Sequence, residues 1–335
     1  MRRWRAFFSQ KRAWVGLGLF GLVLIFSMTA EFWSHQSPLI LIRQTDQGSR
    51  FYFPAFYNYS VAEFGITDSF VVDFPKLIAD DLAAGKKDWA IFPLNRWDPY
   101  FQGPDVLAAP SHEHWLGTDS LGRDVFARLI YGIRVSLAYG MLYWLFSFFV
   151  GIIVGGIQGY FAGKVDFVTE RVKELAEIMP ILSVVILVNG LTKSQSFTVT
   201  LGVVLIFAWI HIASQMRAQF LSLRKRDFCE AARAMGCGDL RIIFQHILPN
   251  AITPILTLTP FAISSGIAIL TVLDYLGYGL NPPTPSIGEM LQQGRTYISN
   301  APWLIQWPTA SLAVMLISIN LVGEALRQAF DPKSQ

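Results

Sequence analysis

The acidic and basic side chains that could handle protons or ions fall in two clusters. Asp119, Arg123 and Asp124 lie within six residues of one another, and Asp274 and Glu289 stand just beyond an apolar run. Carboxylates beside a guanidinium suit general acid–base work. At the ends of membrane spans, where water reaches them, capping and interfacial pairing are the commoner roles. Cys229 and Cys237, eight residues apart, are too sparse for a disulfide framework or a metal cage and read as small apolar fillers. The chain has no glycine-rich phosphate loop followed by Lys-Ser/Thr, no His-Glu-x-x-His, no Gly-x-Ser-x-Gly and no Cys-x-x-Cys. No catalytic residue, no metal ligand and no bound cofactor are therefore assigned, and the chain is expected not to be an enzyme.

The densest interaction chemistry is in Glu230–Asn250, EAARAMGCGDLRIIFQHILPN. Arg226 to Met235 suits a short helix, and Gly236 is placed to stop it in the left-handed conformation that a Cβ disfavours. Asp239 is expected to cap a second helix, Leu240 to Leu248, before Pro249 constrains the chain. Ala231, Ala232 and Ala234 give the first helix a small-residue face for a partner's groove. Arg226, Arg233 and Arg241 could meet acidic groups there. Composition alone fits a plain helical connector equally well.

The elements that must hold this segment are membrane spans. Of 335 residues, 53% are hydrophobic and 15% charged, whereas soluble domains average about 25% charged. A net charge of +3, without basic runs among aromatics, argues against nucleic acid. Uncharged runs predict six spans, beginning at 14–30, 135–163, 178–192, 194–216, 251–273 and 301–323. Gly151, Gly155, Gly156 and Gly159 in the second span would let a neighbouring helix approach closely. With the N-terminus inside, the pieces 1–12, 164–177, 217–250 and 324–335 hold 16 Lys and Arg, and the short external loops only Lys193 and Arg295. Both termini and the 217–250 loop are thus expected in the cytoplasm.

The predicted organisation is a 1–13 tail, a first span at 14–30, an external insertion at 31–134, a core of five spans at 135–323 and a 324–335 tail. The insertion carries 13 acidic and 9 basic residues, and its aromatics and turn formers point to a small folded unit. Strands are expected at Arg50–Pro54 and Trp89–Pro93. At its end, a helix capped by Thr118 or Asp119 would place Val125, Leu129 and Ile133 on one face and Arg123, Asp124, Arg128 and Arg134 on others, lying at the interface.

Glu230, Ala231, Ala232 and Gly236, followed by Leu248 and Pro249, resemble the coupling-loop motif of binding-protein-dependent ABC importer permeases. His246, where many such families carry an aliphatic residue, is similar to the branch importing peptides, opines and nickel chelates. Two external stretches carry the same resemblance. One is His114 to Asp124, with Gly117, Thr118, Asp119, Gly122, Arg123 and Asp124. The other is Leu276 to Glu289, with Gly277, Gly279, Pro282, Pro283 and Gly288. Tyr52-Phe53-Pro54 and Asn58-Tyr59-Ser60 in the insertion resemble the Yej-type permeases, associated with peptides including microcin C.

The resemblance implies an all-α integral membrane fold of six transmembrane helices in the bacterial inner membrane, with a small periplasmic insertion of mixed structure. It implies a second homologous permease, cytoplasmic ATP-binding subunits docked on residues 226–249 and a periplasmic solute-binding protein, with ATP used by the partner. Glu230 and Gly236 would carry the docking, supported by Asp239, and the path would run between the second, fourth and fifth spans and the Pro282–Gly288 loop. A secondary transporter or channel acting alone would need charges at mid-membrane, and the spans carry none. Nickel chelates or opines remain the alternative substrates.

Overall fold

The computed structural model describes residues 2–45, 48–66, 72–192 and 196–330; Lys193, Ser194 and the last five residues of the C-terminal tail lie outside them. The chain divides into two compact units, one of residues 1–23, 135–292 and 308–335, the other of residues 24–134 and 293–307.

The elements run α1 (Arg2–Phe8), α2 (Lys11–Met28), α3 (Ala30–Trp33), β1 (Ile40–Thr45), β2 (Gly48–Tyr52), α4 (Phe74–Ala83) and β3 (Trp89–Ile91). They continue with α5 (Val125–Phe161), α6 (Gly163–Ile178), α7 (Ile181–Thr192), α8 (Phe197–Leu223), α9 (Asp227–Ala234) and α10 (Asp239–Arg241). A π-helical turn (Ile242–Ile247) leads to α11 (Leu248–Leu256), α12 (Thr259–Tyr275), α13 (Ile287–Thr296) and α14 (Trp303–Phe330). Among the described residues, α2, α5, α8 and α14 are long and apolar enough to cross a membrane. The count rises to six if the bent pairs α6–α7 (74°) and α10/α11–α12 (54°) are one span each. Pro180, just before α7, and Pro260, at the start of α12, sit at the two bends, where a missing N–H costs least.

In the first unit, α5 and α8 pack through the predicted glycines. A Cβ on Gly155 would lie 2.2 Å from the Ala213 carbonyl oxygen, and one on Gly159 2.6 Å from the Phe220 Cβ. Only glycine permits that approach. Polar groups tie the next helix, α6, to α8: Arg217 pairs with Asp166, and the buried Lys173 donates to the Ser214 hydroxyl at 3.0 Å and pairs with Glu170 at 2.8 Å. Helices α1, α2 and α14 share a small core of Phe7, Ala13, Ala325 and Ala329.

The second unit is built on a three-stranded antiparallel sheet in the order β2-β1-β3 over Leu41, Tyr52, Phe64 and Phe74. Strands at 48–52 and 89–91 stand close to those expected. The central strand β1, rich in β-branched and apolar residues, is an addition. Arg43 and Lys86 both pair with the buried Asp81, at 2.6 and 2.7 Å. Burial opposes the Asp81 charge, but these two cations outweigh it and hold the carboxyl at about 2.

Two expectations about the end of the insertion are corrected. The helix starts at Val125, and Asp124 is its cap, accepting the Ala127 N–H at 2.8 Å. Thr118 and Asp119 lie in the preceding turn. Nor is there a separate interfacial helix: α5 runs unbroken for 37 residues, and Arg123, Asp124 and Arg128 are buried instead of facing an interface.

Candidate functional site

The segment joining α8 to α12 is a helical hairpin. Helix α9 opens with Asp227 and Glu230 in its first turn and closes with Arg233 in its last, matching the partial charges at helix ends. It stops in a Schellman motif: Gly236 N–H bonds to the Arg233 carbonyl at 2.9 Å and Cys237 N–H to the Ala232 carbonyl at 3.0 Å. Gly236 holds φ +79°, with nothing within 4 Å of the place a Cβ would occupy. Glycine is therefore required by backbone conformation, not by space.

Asp239 does not cap the second helix as expected; it is that helix's first residue, after Gly238. Its carboxylate instead accepts the Tyr160 hydroxyl at 2.6 Å. The Arg224 guanidinium donates to the Tyr160 carbonyl at 3.0 Å, and Arg233 lies 5.9 Å from the Tyr160 ring centre. Tyr160 thus ties the last turn of α5 to both arms of the hairpin. The second helix also runs past Pro249 to Leu256, contrary to expectation. Pro249 has no N–H for the Gln245 carbonyl and its ring would strike it, so the coil widens into the π turn just before. Asn250 donates to the His246 carbonyl at 2.8 Å.

The hairpin has an inner and an outer face. Cys229, Ala232, Ile242 and Ile247 are buried against Tyr160, Met216 and Phe220. Ala232 is therefore core, not part of an exposed small-residue face. Glu230, Ala231, Ala234, Gly236, Asp239 and Pro249 are exposed, and His246 and Leu248 are half-buried. Beside them stand large apolar side chains whose exposure the residue types alone did not reveal: Met235 (76%), Leu240 (72%), Phe244 (61%) and Phe228 (39%). Apolar groups clustered on such an arm mark an interaction surface.

The motifs at 114–124 and 276–289 are structural knots. Asp119 accepts from the Leu121 and Arg123 N–H groups and from the Arg123 Nε at 2.6 Å, with the Arg128 Nε at 3.5 Å. Asp124 accepts from Asn95 at 3.0 Å and faces His114 Nδ1 at 2.9 Å, and burial pushes its carboxyl up despite these bonds. Gly117 (φ +80°) and Gly122 (φ +71°) are left-handed, and a Cβ on Gly122 would stand 2.1 Å from the Gly103 carbonyl oxygen. Trp303 donates to the Thr118 carbonyl at 3.1 Å.

In the second knot Asp274 is buried, not turned to water as its place at a span end implied. It accepts the Leu280 N–H at 2.7 Å and the Ser286 hydroxyl, folding the 277–288 loop back on α12. Gly279 and Gly288 have no room for a Cβ beside Asp274, Gly277 has φ +81°, and the Pro282-Pro283 bond is cis. Neither cluster of carboxylates is open to a substrate, and among the described residues no three His, Cys, Asp or Glu side chains could share a metal ion.

The model of binding-protein-dependent transport system inner membrane components matches residues 127–335. The chain belongs to that family. This permease is 37% identical to the inner membrane ABC transporter permease protein YejE of Escherichia coli, over 98% of this chain and 96% of that one. It is 33% identical to the peptidoglycan transport system permease protein YejE of Agrobacterium fabrum, over 99% of this chain and 92% of that one. It is also 33% identical to the oligopeptide transport permease OppC of Bacillus subtilis, over 67% and 73%. Among solved structures, an inward-facing MetNI methionine ABC transporter chain shares the fold, with a TM-score of 0.53 at 16% identity over 62% of this chain and 97% of that one. The permease is a multi-pass inner membrane protein, and the fold assignment from sequence, helical spans with a small mixed insertion, holds.

One residue of the permease escaped a reading that counted only charges. His211 stands at the middle of α8, exposed, in a run otherwise without titratable groups. A histidine inside a membrane span is the signal that should have singled it out.

Proposed function

We propose that this chain is the membrane-embedded half of an ATP-driven peptide importer. The hairpin at 226–249 is its drive point. A separate ATP-binding subunit seats the exposed face of α9 and the turn after it, and closure of the ATPase pushes the hairpin as one body. The observation that carries this is the Tyr160–Asp239 bond, which ties an exposed arm to the far end of the 37-residue α5. A lever must be stiff where it is pushed and fixed where it transmits, and the Schellman stop and the Tyr160 clasp supply both.

The names of the YejE and OppC relatives support oligopeptides or peptidoglycan fragments as the cargo, and the Yej-type motifs of the insertion add microcin C-like peptides. A second homologous permease completes the path, and a periplasmic solute-binding protein delivers to it. The balance of Lys and Arg supports a cytoplasmic hairpin and cytoplasmic termini. The path runs beside α5, α8 and α12 and under the 277–288 loop. No ATP site is assigned to this chain, and lipid surrounds its spans.

The test is uptake of a radiolabelled oligopeptide into proteoliposomes holding both permeases, the ATP-binding subunits and the solute-binding protein. Uptake that needs ATP and the binding protein supports the reading; uptake by this chain alone, without ATP, contradicts it.

A further inference from the structure

His211 is shared by two hollows in the first unit. One, of about 130 Å³, is lined by Tyr143 and Ser147 of α5, His211 of α8 and Ser265 of α12, with Phe261 as an apolar wall. The other, of about 400 Å³, opens at the α6–α7 bend beside Glu177 and Pro180. Both exceed the ~30 Å³ that one water occupies in the liquid. The His211 ring makes no hydrogen bond or ion pair with any described residue. Facing lipid, such a group would be costly, and a helix packing here would meet hollows where it needs a ridge to interlock with.

We propose that His211 is the main-chain contact of the peptide during its passage. The two serines already donate their protons, Ser147 to the Trp144 carbonyl at 3.0 Å and Ser265 to the Phe261 carbonyl at 2.9 Å. Ser147 is buried, so the exposed Ser265 oxygen is the one left as an acceptor for an amide N–H group. The Tyr143 hydroxyl and the His211 ring can donate to carbonyls, and Glu177 can accept from an N–H or a terminal ammonium. An extended peptide offers one donor and one acceptor at nearly every residue. A wall of this chemistry therefore binds backbone and is indifferent to side chains. It reads peptides as a class and leaves sequence preference to the receptor.

This rests on the importer reading, and the experiment separates the two. The complete complex is reconstituted with p-benzoylphenylalanine at position 211 and supplied with a labelled trialanine, ATP and the solute-binding protein under light. Labelling of this chain that requires ATP and is competed by unlabelled trialanine is expected. Crosslinks only to the other permease or to lipid, in vesicles that import trialanine, would overturn the proposal alone. In parallel, H211L should lower import about tenfold, the loss of one hydrogen bond, while H211Q restores it to within about twofold. Receptor-stimulated ATP hydrolysis should persist in both. Equal import by H211L, H211Q and the unsubstituted complex would also overturn it. If the unsubstituted complex imports no peptide, the importer reading falls first and this site falls with it.

Discussion

At the scale of single residues, the proposed lever rests on Gly236 and Tyr160. Gly236 sits at φ +79° in open space, so a side chain there costs conformation only, roughly 1–2 kcal/mol. We expect G236V to insert and assemble normally but to lose most receptor-driven transport while ATP hydrolysis continues; normal transport per ATP in vesicles would refute that. Y160F keeps the ring that packs on Met216 and Phe220 and removes only the hydroxyl that Asp239 accepts. It should lower transport per ATP several-fold, and D239N, which weakens the same bond, should add little to Y160F. Additive losses in the double variant would show that the two residues act separately. Gly236 was legible from its place after a helical run. The Tyr160–Asp239 bond was not, because its partners are 79 residues apart and Asp239 looked like an ordinary helix cap.

Elements show the same division. The α5–α8 contact was legible because four glycines at helical spacing strip one face of the span of side chains, and a bare face gains by close approach of another helix. A leucine at Gly155 would drive its Cβ to 2.2 Å from the Ala213 carbonyl oxygen, beyond the ~1–3 kcal/mol of ordinary overpacking. G155L should therefore lower the thermal unfolding midpoint of the detergent-solubilised complex by many degrees, and an unchanged midpoint would contradict the packing. In the insertion, Asp81 has a carboxyl held near 2 by Arg43 and Lys86, well below the ~3.9 of an unfolded aspartate. Because the folded value is depressed, its stabilisation, on the order of 2 kcal/mol, is complete above about pH 4 and is lost as pH falls towards 2. D81N should remove that segment of the acid-unfolding profile of the full chain, followed by fluorescence of the exposed Trp89; an identical profile would argue against the pairing. The buried charges at 119–128 were misread as an outward face because alternation of polar and apolar residues cannot reveal which charges find buried partners. Asp119 supplies one within the motif, but Arg128 also bonds to the Pro99 carbonyl, 29 residues away.

At the scale of the whole molecule, the chain supplies spans, a hairpin and two buried knots, and the proposed importer draws its energy and selectivity from other chains. The spans and their order follow from hydropathy, since a bilayer demands long uncharged helices whatever the fold. Which faces of those helices would meet a cargo does not follow, because the proposed passage draws residues from α5, α8 and α12 that no local pattern links. Phe228, Met235, Leu240 and Phe244 leave the hairpin with large exposed apolar side chains. A partner's groove would cover them. The most direct measurement places a photo-crosslinking residue at Met235 in the assembled complex and identifies what it captures. The lever account predicts a crosslink to the ATP-binding subunit whose yield changes between ATP-bound and nucleotide-free states. Capture of lipid alone, with the ATP-binding subunit present and active, would contradict it.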